Sequence, residues 1–414
     1  MKQIFENNNY EVVSFEEKSD VYIINTCTVT SMSDKKSRQM IRRAKQLNPE
    51  AMVIAIGCYA QVGKEELSKI DEIDLILGNN EKNDILKFVE DAYNKKIKIE
   101  LLDDVFKTEE FLDFGTTIKI EKTRAIVKIQ DGCDRFCSYC IIPYARGKVR
   151  SRKIESTVKE IKELVKKGIK EIVLTGIHIA SYGKEFKNNI SLIDLLEEIN
   201  KIEGLERIRL GSLEPTLITE EFTERLSKLS KICHHFHLSL QSACNTVLER
   251  MNRKYSIEEF KNGVFILRKY FNDVILTTDI IVGFPGETEE EFDKTFKELN
   301  EIKFYKMHIF KYSRRKGTKA YMMENQINDN IKDVRSKILL KLSNKNQYEY
   351  NKNYIGKEVK VLFEEKENNY IKGHTPNYLI VKVGYNEMID FHNKILNVKI
   401  IGFNKENLIG EIIL

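Results

Sequence analysis

Apolar and polar positions along the first ninety or so residues read as strand, helix, strand, helix. Residues 21–25 form a short apolar run, and residues 35–47 carry Met40, Ile41, Ala44 and Leu47 at helical spacing. Residues 51–56 and 74–77 read as two further buried strands, and residues 81–93 as a following helix. Strands alternating with helices predict a small α/β domain with a mostly parallel sheet over residues 1–95. The charged stretch 96–123 reads as a linker.

From Arg124 onward the alternation becomes regular. Strands are predicted at 125–130, 171–175, 207–211, 235–240, 276–282 and 307–312, with helical patterns between them such as the face Leu192, Leu195, Leu196, Ile199 and Ile202. Six β/α units over residues 124–353 predict a curved parallel sheet, open or part of a barrel. Its site would lie at the carboxyl ends of the strands. A basic, Asn-rich helical stretch at 330–353 closes this region. Residues 354–414 then change to short β-like runs punctuated by Gly356, Gly373, Gly384 and Gly402, the pattern of a small all-β barrel.

Composition narrows the class. A chain of 414 residues with 42% hydrophobic and 9% aromatic residues has ample core for two or three domains, which excludes a disordered chain. Sixty-eight Lys and Arg against sixty-three Asp and Glu leave only +5, so any nucleic-acid contact must come from local patches. No apolar run approaches the ~20 residues of a membrane span, and the first residues lack the apolar core of a secretion signal. The expectation is a soluble, cytoplasmic protein with no membrane partner. Seven cysteines, an odd count with three crowded into eight residues, argue for ligands rather than a disulfide framework.

That triplet, Cys133, Cys137 and Cys140, has the spacing C-x3-C-x2-C directly after the first strand of the regular region. Three thiolates on one loop can hold three irons of a [4Fe–4S] cube and leave the fourth open to a small molecule. Structural zinc is the competing reading, but it needs a fourth ligand that the loop does not supply.

With the aromatic Tyr139 just before its third cysteine, the triplet resembles the signature of the radical S-adenosylmethionine enzymes. The resemblance narrows through Asn25-Thr26-Cys27-Thr28-Val29-Thr30, Gly57-Cys58-Tyr59-Ala60-Gln61, Cys140-Ile141-Ile142-Pro143-Tyr144-Ala145-Arg146-Gly147, Leu174-Thr175-Gly176-Ile177-His178 and Ile281-Val282-Gly283-Phe284-Pro285-Gly286-Glu287-Thr288. These are similar to methylthiotransferase motifs and occur in that family's order. The terminal β module resembles a TRAM domain, and residues 145–152 look most like the family's MtaB-type branch. The resemblance implies an α/β fold built as an N-terminal parallel-sheet domain, a central partial (β/α)6 barrel and a C-terminal all-β barrel. It implies the conversion of N6-threonylcarbamoyladenosine at position 37, in a tRNA anticodon stem-loop, to its 2-methylthio derivative. The rivals it leaves are isopentenyladenosine in tRNA, a ribosomal-protein aspartate, and an RNA-binding protein whose catalysis has lapsed.

Cofactors and residue roles follow from the same resemblance. Cys133, Cys137 and Cys140 would hold the catalytic [4Fe–4S] cluster on which S-adenosylmethionine sits. Tyr139, Thr175, Gly176, Glu214, Gln241, Asp279 and Gly283 would line the S-adenosylmethionine cleft, although capping and turn formation could explain the strand-end residues among them. His178 and His237 are candidate polar groups there. Family members carry a second, auxiliary cluster, for which Cys27 and Cys58 match two of three ligands. Each follows a predicted strand, so a parallel sheet would bring both to one edge. The third ligand belongs to a turn that should precede the opening helix, which leaves a start assigned downstream of the true one, the favoured expectation, a truncated chain, or an incomplete ligand set. Cys244 stands where relatives usually show Ser and reads as a small buried residue, as does Cys233.

Two basic clusters remain. Lys35, Lys36, Arg38, Arg42, Arg43 and Lys45 share a helix, while Arg146, Lys148, Arg150 and Arg152 follow the cysteine loop and are expected to contact RNA phosphates. In the terminal module the aromatics Tyr370, Tyr378 and Tyr385 are the RNA candidates. An electron donor and a sulfur source complete the expected partners.

Overall fold

The computed structural model describes residues 1–95, 99–113, 115, 123–384 and 390–413. The chain forms two compact units. One comprises Met1–Ile118, Asp131–Arg150 and Ser313–Met322, the other Lys119–Gln130, Ser151–Tyr312 and Met323–Leu414.

The first unit is built on four parallel strands in the order β1 (Val21–Thr26), β2 (Met52–Gly57), β3 (Leu75–Leu77) and β4 (Ile99–Leu101). Every residue of β2 is buried, because apolar clusters cover both faces. Ile41, Ala44, Val53, Ala55 and Ile76 pack on one side, and Phe5, Ile54, Leu75, Ile85 and Val89 on the other. This double burial explains why the strand reads as a continuous apolar run. The expected helix at 35–47 extends over Ser31–Leu47, its first turn capped by the Thr30 hydroxyl accepting from the Ser33 N–H. The expected helix at 81–93 begins later, at Ile85, after a short 3-10 turn.

The stretch read as a linker is corrected in part. β4 lies inside it, and Val105 there is only 3% exposed. A three-residue strand between charged residues is too short to show a period. Much of the rest of that stretch lies outside the described residues.

In the second unit, six parallel strands follow as predicted: β5 (Arg124–Lys128), β8 (Glu171–Thr175), β9 (Arg207–Leu210), β10 (His235–Gln241), β11 (Ile275–Val282) and β12 (Lys306–Lys311). The numbering passes over two two-residue strands, β6 (Gln130–Asp131) and β7 (Arg150–Ser151). They pair as β5-β8-β9 and β10-β11-β12, and the parallel bridges Ile208↔Ile232 and Leu213↔Leu238 join the two halves. Their outward residues share one large core with the helices, including Leu174, Leu196, Ile208, Leu238 and Ile280. The inward residues line the barrel lumen.

The terminal strands β13 (Glu358–Glu367), β14 (Tyr370–His374), β15 (Ile380–Gly384), β16 (Ile395–Phe403) and β17 (Leu408–Ile412) close into a barrel in the order β13-β14-β15-β17-β16. β14 was not apparent in the sequence, since Tyr370-Ile371-Lys372-Gly373-His374 is short and holds a glycine. This module meets the amino ends of the central strands. The Arg207 guanidinium donates to the carbonyls of His374 (2.9 Å) and Lys360 (3.2 Å). The Tyr354 hydroxyl donates to Asp273 across 2.7 Å. Tyr378, in the left-handed region at φ 72°, stacks its ring on His374 at 4.8 Å and lies 4.9 Å from the ring of His235. Arg209 lies over the same ring at 4.4 Å, and Arg124 at 5.4 Å.

Candidate cofactor and substrate site

In the first unit the cysteine loop is held by backbone. Gly132 has φ 73°, and a Cβ there would stand 1.7 Å from the Lys148 carbonyl oxygen, so no other residue fits. The Cys133 N–H donates to the Gly147 carbonyl at 3.0 Å, and the Cys140 N–H to the Cys137 carbonyl at 2.9 Å. The Ser138 carbonyl accepts from the Ala320 N–H at 2.8 Å. Phe136 takes the left-handed conformation at φ 47° and meets Tyr144 edge to face. Cys137 is buried, Cys133, Tyr139 and Cys140 half-buried. A preformed loop carrying three soft thiol donors suits a cluster that takes three protein ligands.

Cys27 and Cys58 leave the sheet at one edge, as a parallel pairing requires. Thr26 and Gly57 are paired in register at the ends of β1 and β2, so the next residue on each strand, Cys27 and Cys58, leaves from the same edge. Cys27 is exposed and Cys58 is 8% exposed. Arg146, at the end of the short helix Ile142–Arg146 after the cysteine loop, donates from Nε to Cys58 Sγ at 3.1 Å and lies 3.3 Å from Asp131. Burial opposes its charge, but Asp131 and the Cys58 sulfur outweigh burial and raise its pKa. Asn79 donates to the Ala145 carbonyl at 2.8 Å and lies 3.7 Å from the same sulfur. Beside Cys27, Thr28 and Asp34 accept from the buried Arg315.

The basic stretch expected on RNA is mostly turned inward. Arg150 and Arg152 are 2% and 5% exposed. Arg150 donates to the Arg146 carbonyl at 2.9 Å, Arg152 pairs with Glu160, and Arg146 is spent on Cys58 and Asp131. Acids distant in sequence neutralise these cations, which a local reading of charge runs cannot see. Lys148 is exposed. On the helix Ser31–Leu47, Lys35, Lys36 and Arg42 are exposed, while Arg38 donates to the Tyr59 hydroxyl at 2.6 Å.

In the second unit the strand-end residues fall where expected. Thr175 ends β8, and the Gln130 side chain packs against Gly176 and accepts from the His178 N–H at 2.7 Å. Beyond β9, Glu214 is 3% exposed, 3.2 Å from His178 Nε2 and 3.5 Å from Arg253. Gln241 ends β10 at φ 69°, beside a register shift. Gly283 follows β11 at φ 70°, where its N–H donates to Glu287 at 2.7 Å, and Glu287 is paired with Arg335 at 2.7 Å. Asp279 points inward from β11, 3.1 Å from His237 Nε2. Cys244 and Cys233 are buried, and burial pushes the Cys233 thiol up to about 11, as suits core cysteines.

Three features escaped the sequence reading. His308 on β12 joins His237 and Asp279, with one ligand atom of each within 4.8 Å of the others. Burial holds His308 below the ordinary histidine value, against the pull of Asp279. Glu171 gathers Arg209 at 2.8 Å and Arg207 at 3.6 Å at the amino end of the lumen. Tyr378, expected on RNA, is engaged on that same end, and Tyr385 lies outside the described residues. The alternation of polar Lys306 and His308 with apolar Met307 and Ile309 was the available signal for His308.

Residues 127–299 match the radical SAM superfamily, and residues 1–78 match the uncharacterized protein family UPF0004. A threonylcarbamoyladenosine tRNA methylthiotransferase MtaB of Bacillus subtilis (strain 168) is 41% identical, over 96% of this chain and 89% of its own length. One of Aquifex aeolicus is 43% identical, over 94% of this chain and 93% of its own. The chain belongs to the radical S-adenosylmethionine methylthiotransferase family. A member from Finegoldia magna, a tRNA-2-methylthio-N(6)-dimethylallyladenosine synthase, is 36% identical over 100% of this chain and 90% of its own length. The radical S-adenosylmethionine methyltransferase TsrM from Kitasatospora setae shares the fold, with TM-score 0.53 at 18% identity over 73% of this chain and 66% of its own. Membership in the family implies a [4Fe–4S] cluster and S-adenosylmethionine, and the cysteine loop offers the donor set that such a cluster takes. Among the described residues, no helix is long and apolar enough to cross a membrane.

Proposed function

We propose that this methylthiotransferase acts on N6-threonylcarbamoyladenosine at position 37 of tRNA, converting it to the 2-methylthio derivative. The observation that carries the substrate is the 41% and 43% identity to relatives named for that nucleoside, against 36% to one named for dimethylallyladenosine. Cys133, Cys137 and Cys140 would hold the cluster, which with bound S-adenosylmethionine supplies a radical able to take hydrogen from the adenine C2 position. The protein's part is to position and enclose. Strand-end groups such as Thr175, Glu214 and Gln241 would orient the cofactor, and the exposed Lys35, Lys36, Arg42 and Lys148 would neutralise phosphates of the anticodon stem-loop. An external one-electron donor and a sulfur source complete the reaction, which would take place in the cytoplasm.

The test offers anticodon stem-loops bearing either threonylcarbamoyl- or dimethylallyladenosine to the anaerobically reconstituted protein and reads 2-methylthio product by mass spectrometry. Product from the first substrate alone is expected, and product from the second alone would overturn the assignment.

Cys27 and Cys58 would bind the auxiliary cluster, with Arg146 donating to the Cys58 sulfur. Cys58→Ala is therefore expected to lower methylthio product about a hundredfold or more while 5′-deoxyadenosine still forms, since sulfur delivery and cofactor cleavage rest on different cysteines. Equal loss of both products would refute a separate role.

A further inference from the structure

The inward face of β10, β11 and β12 carries a connected set of polar side chains: His235, His237, Thr277, Asp279 and His308. The Asp279 carboxylate accepts from His237 Nε2 across 3.1 Å. His237 Nδ1 then accepts from the Thr277 hydroxyl at 3.0 Å, and that hydroxyl oxygen accepts from His235 Nε2 at 3.1 Å. This chain of bonds fixes the His237 ring and engages one Asp279 oxygen. The other Asp279 oxygen remains to accept from a ligand. His308 is exposed on the same face. Lys306, two residues earlier on β12 and so on the same side, adds positive charge that acts on it.

A ligand seated here meets one cation-rich corner with a ring N–H donor and one fixed carboxylate acceptor. An apolar substituent would desolvate both without replacing their hydrogen bonds. A substituent holding a carboxylate and a hydroxyl or amide donor satisfies both. The threonylcarbamoyl group has all of these, and a dimethylallyl group has none.

We infer that His308 receives the carboxylate of the nucleoside's N6 substituent, while Asp279, oriented by His237, accepts its hydroxyl or amide proton. This rests on the substrate proposed above and names the residues that select it. These groups are specificity determinants for the methylthiolation, acting on the substituent and away from the adenine C2 where the chemistry occurs.

The test compares two anticodon stem-loops, one with the threonylcarbamoyl carboxylate free and one with it methyl-esterified, on the reconstituted full chain. The wild type is expected to prefer the free acid by about a hundredfold in kcat/KM, as a site built to hydrogen-bond a polar group does. In His308→Phe and, separately, His308→Asn the preference is expected to collapse to within about threefold. A purely structural role would lower both substrates together and keep the ratio, which overturns the inference. A wild type that turns over the dimethylallyl stem-loop and neither of these overturns the substrate assignment instead, so the two failures are distinct.

Discussion

Replacing Cys133, Cys137 and Cys140 together by Ala is expected to remove about four irons per chain and to lower 5′-deoxyadenosine formation by more than about a thousandfold. The loop's shape does not depend on the thiols. It is held by the Gly132 approach to the Lys148 carbonyl, by the Cys133 N–H on Gly147, and by the Ala320 N–H on Ser138. The variant is therefore expected to keep its far-ultraviolet circular dichroism, which separates loss of ligands from loss of fold. Iron and sulfide assays together with low-temperature electron paramagnetic resonance check it. Iron content unchanged from wild type would show that the metal is held elsewhere.

Glu171→Gln is expected to lower the unfolding free energy by about 3–5 kcal/mol. Glu171 is fully buried and faces Arg209 and Arg207, themselves 3% and 5% exposed. The substitution preserves shape and removes only the charge, so two buried guanidinium groups lose their counterion. Glu364 does not compensate, because it is bound to Arg124 at 2.9 Å and to His374 at 2.9 Å. Urea titration followed by tyrosine fluorescence, in a chain that has no tryptophan, measures the change. A loss under about 1 kcal/mol, the size of a surface ion pair, would mean that the cluster is hydrated and contributes little.

The fold was legible wherever an element was long enough to show its period. All six central strands start within one residue of the predicted positions, because apolar residues there face a continuous helix layer and repeat without interruption. β4 and β14 were not legible, since they are short and their pairing is decided by partners remote in sequence. At the site, position could be read: the triplet on one loop after the first central strand, and Cys27 and Cys58 at one edge by register. What could not be read was neutralisation across the chain. Arg146, Arg150 and Arg152 look like an RNA-binding run until Cys58, Asp131 and Glu160 are brought beside them. His308 failed for a related reason, because a lone histidine acquires meaning only from the neighbours that the sheet supplies.

Tyr378 has a consequence for how the enzyme is completed. Its ring packs against the amino ends of the central strands from a separate module, more than a hundred residues after the last of the strand residues it touches, His235. Those strands therefore gain this ring contact only once the terminal module has folded against them.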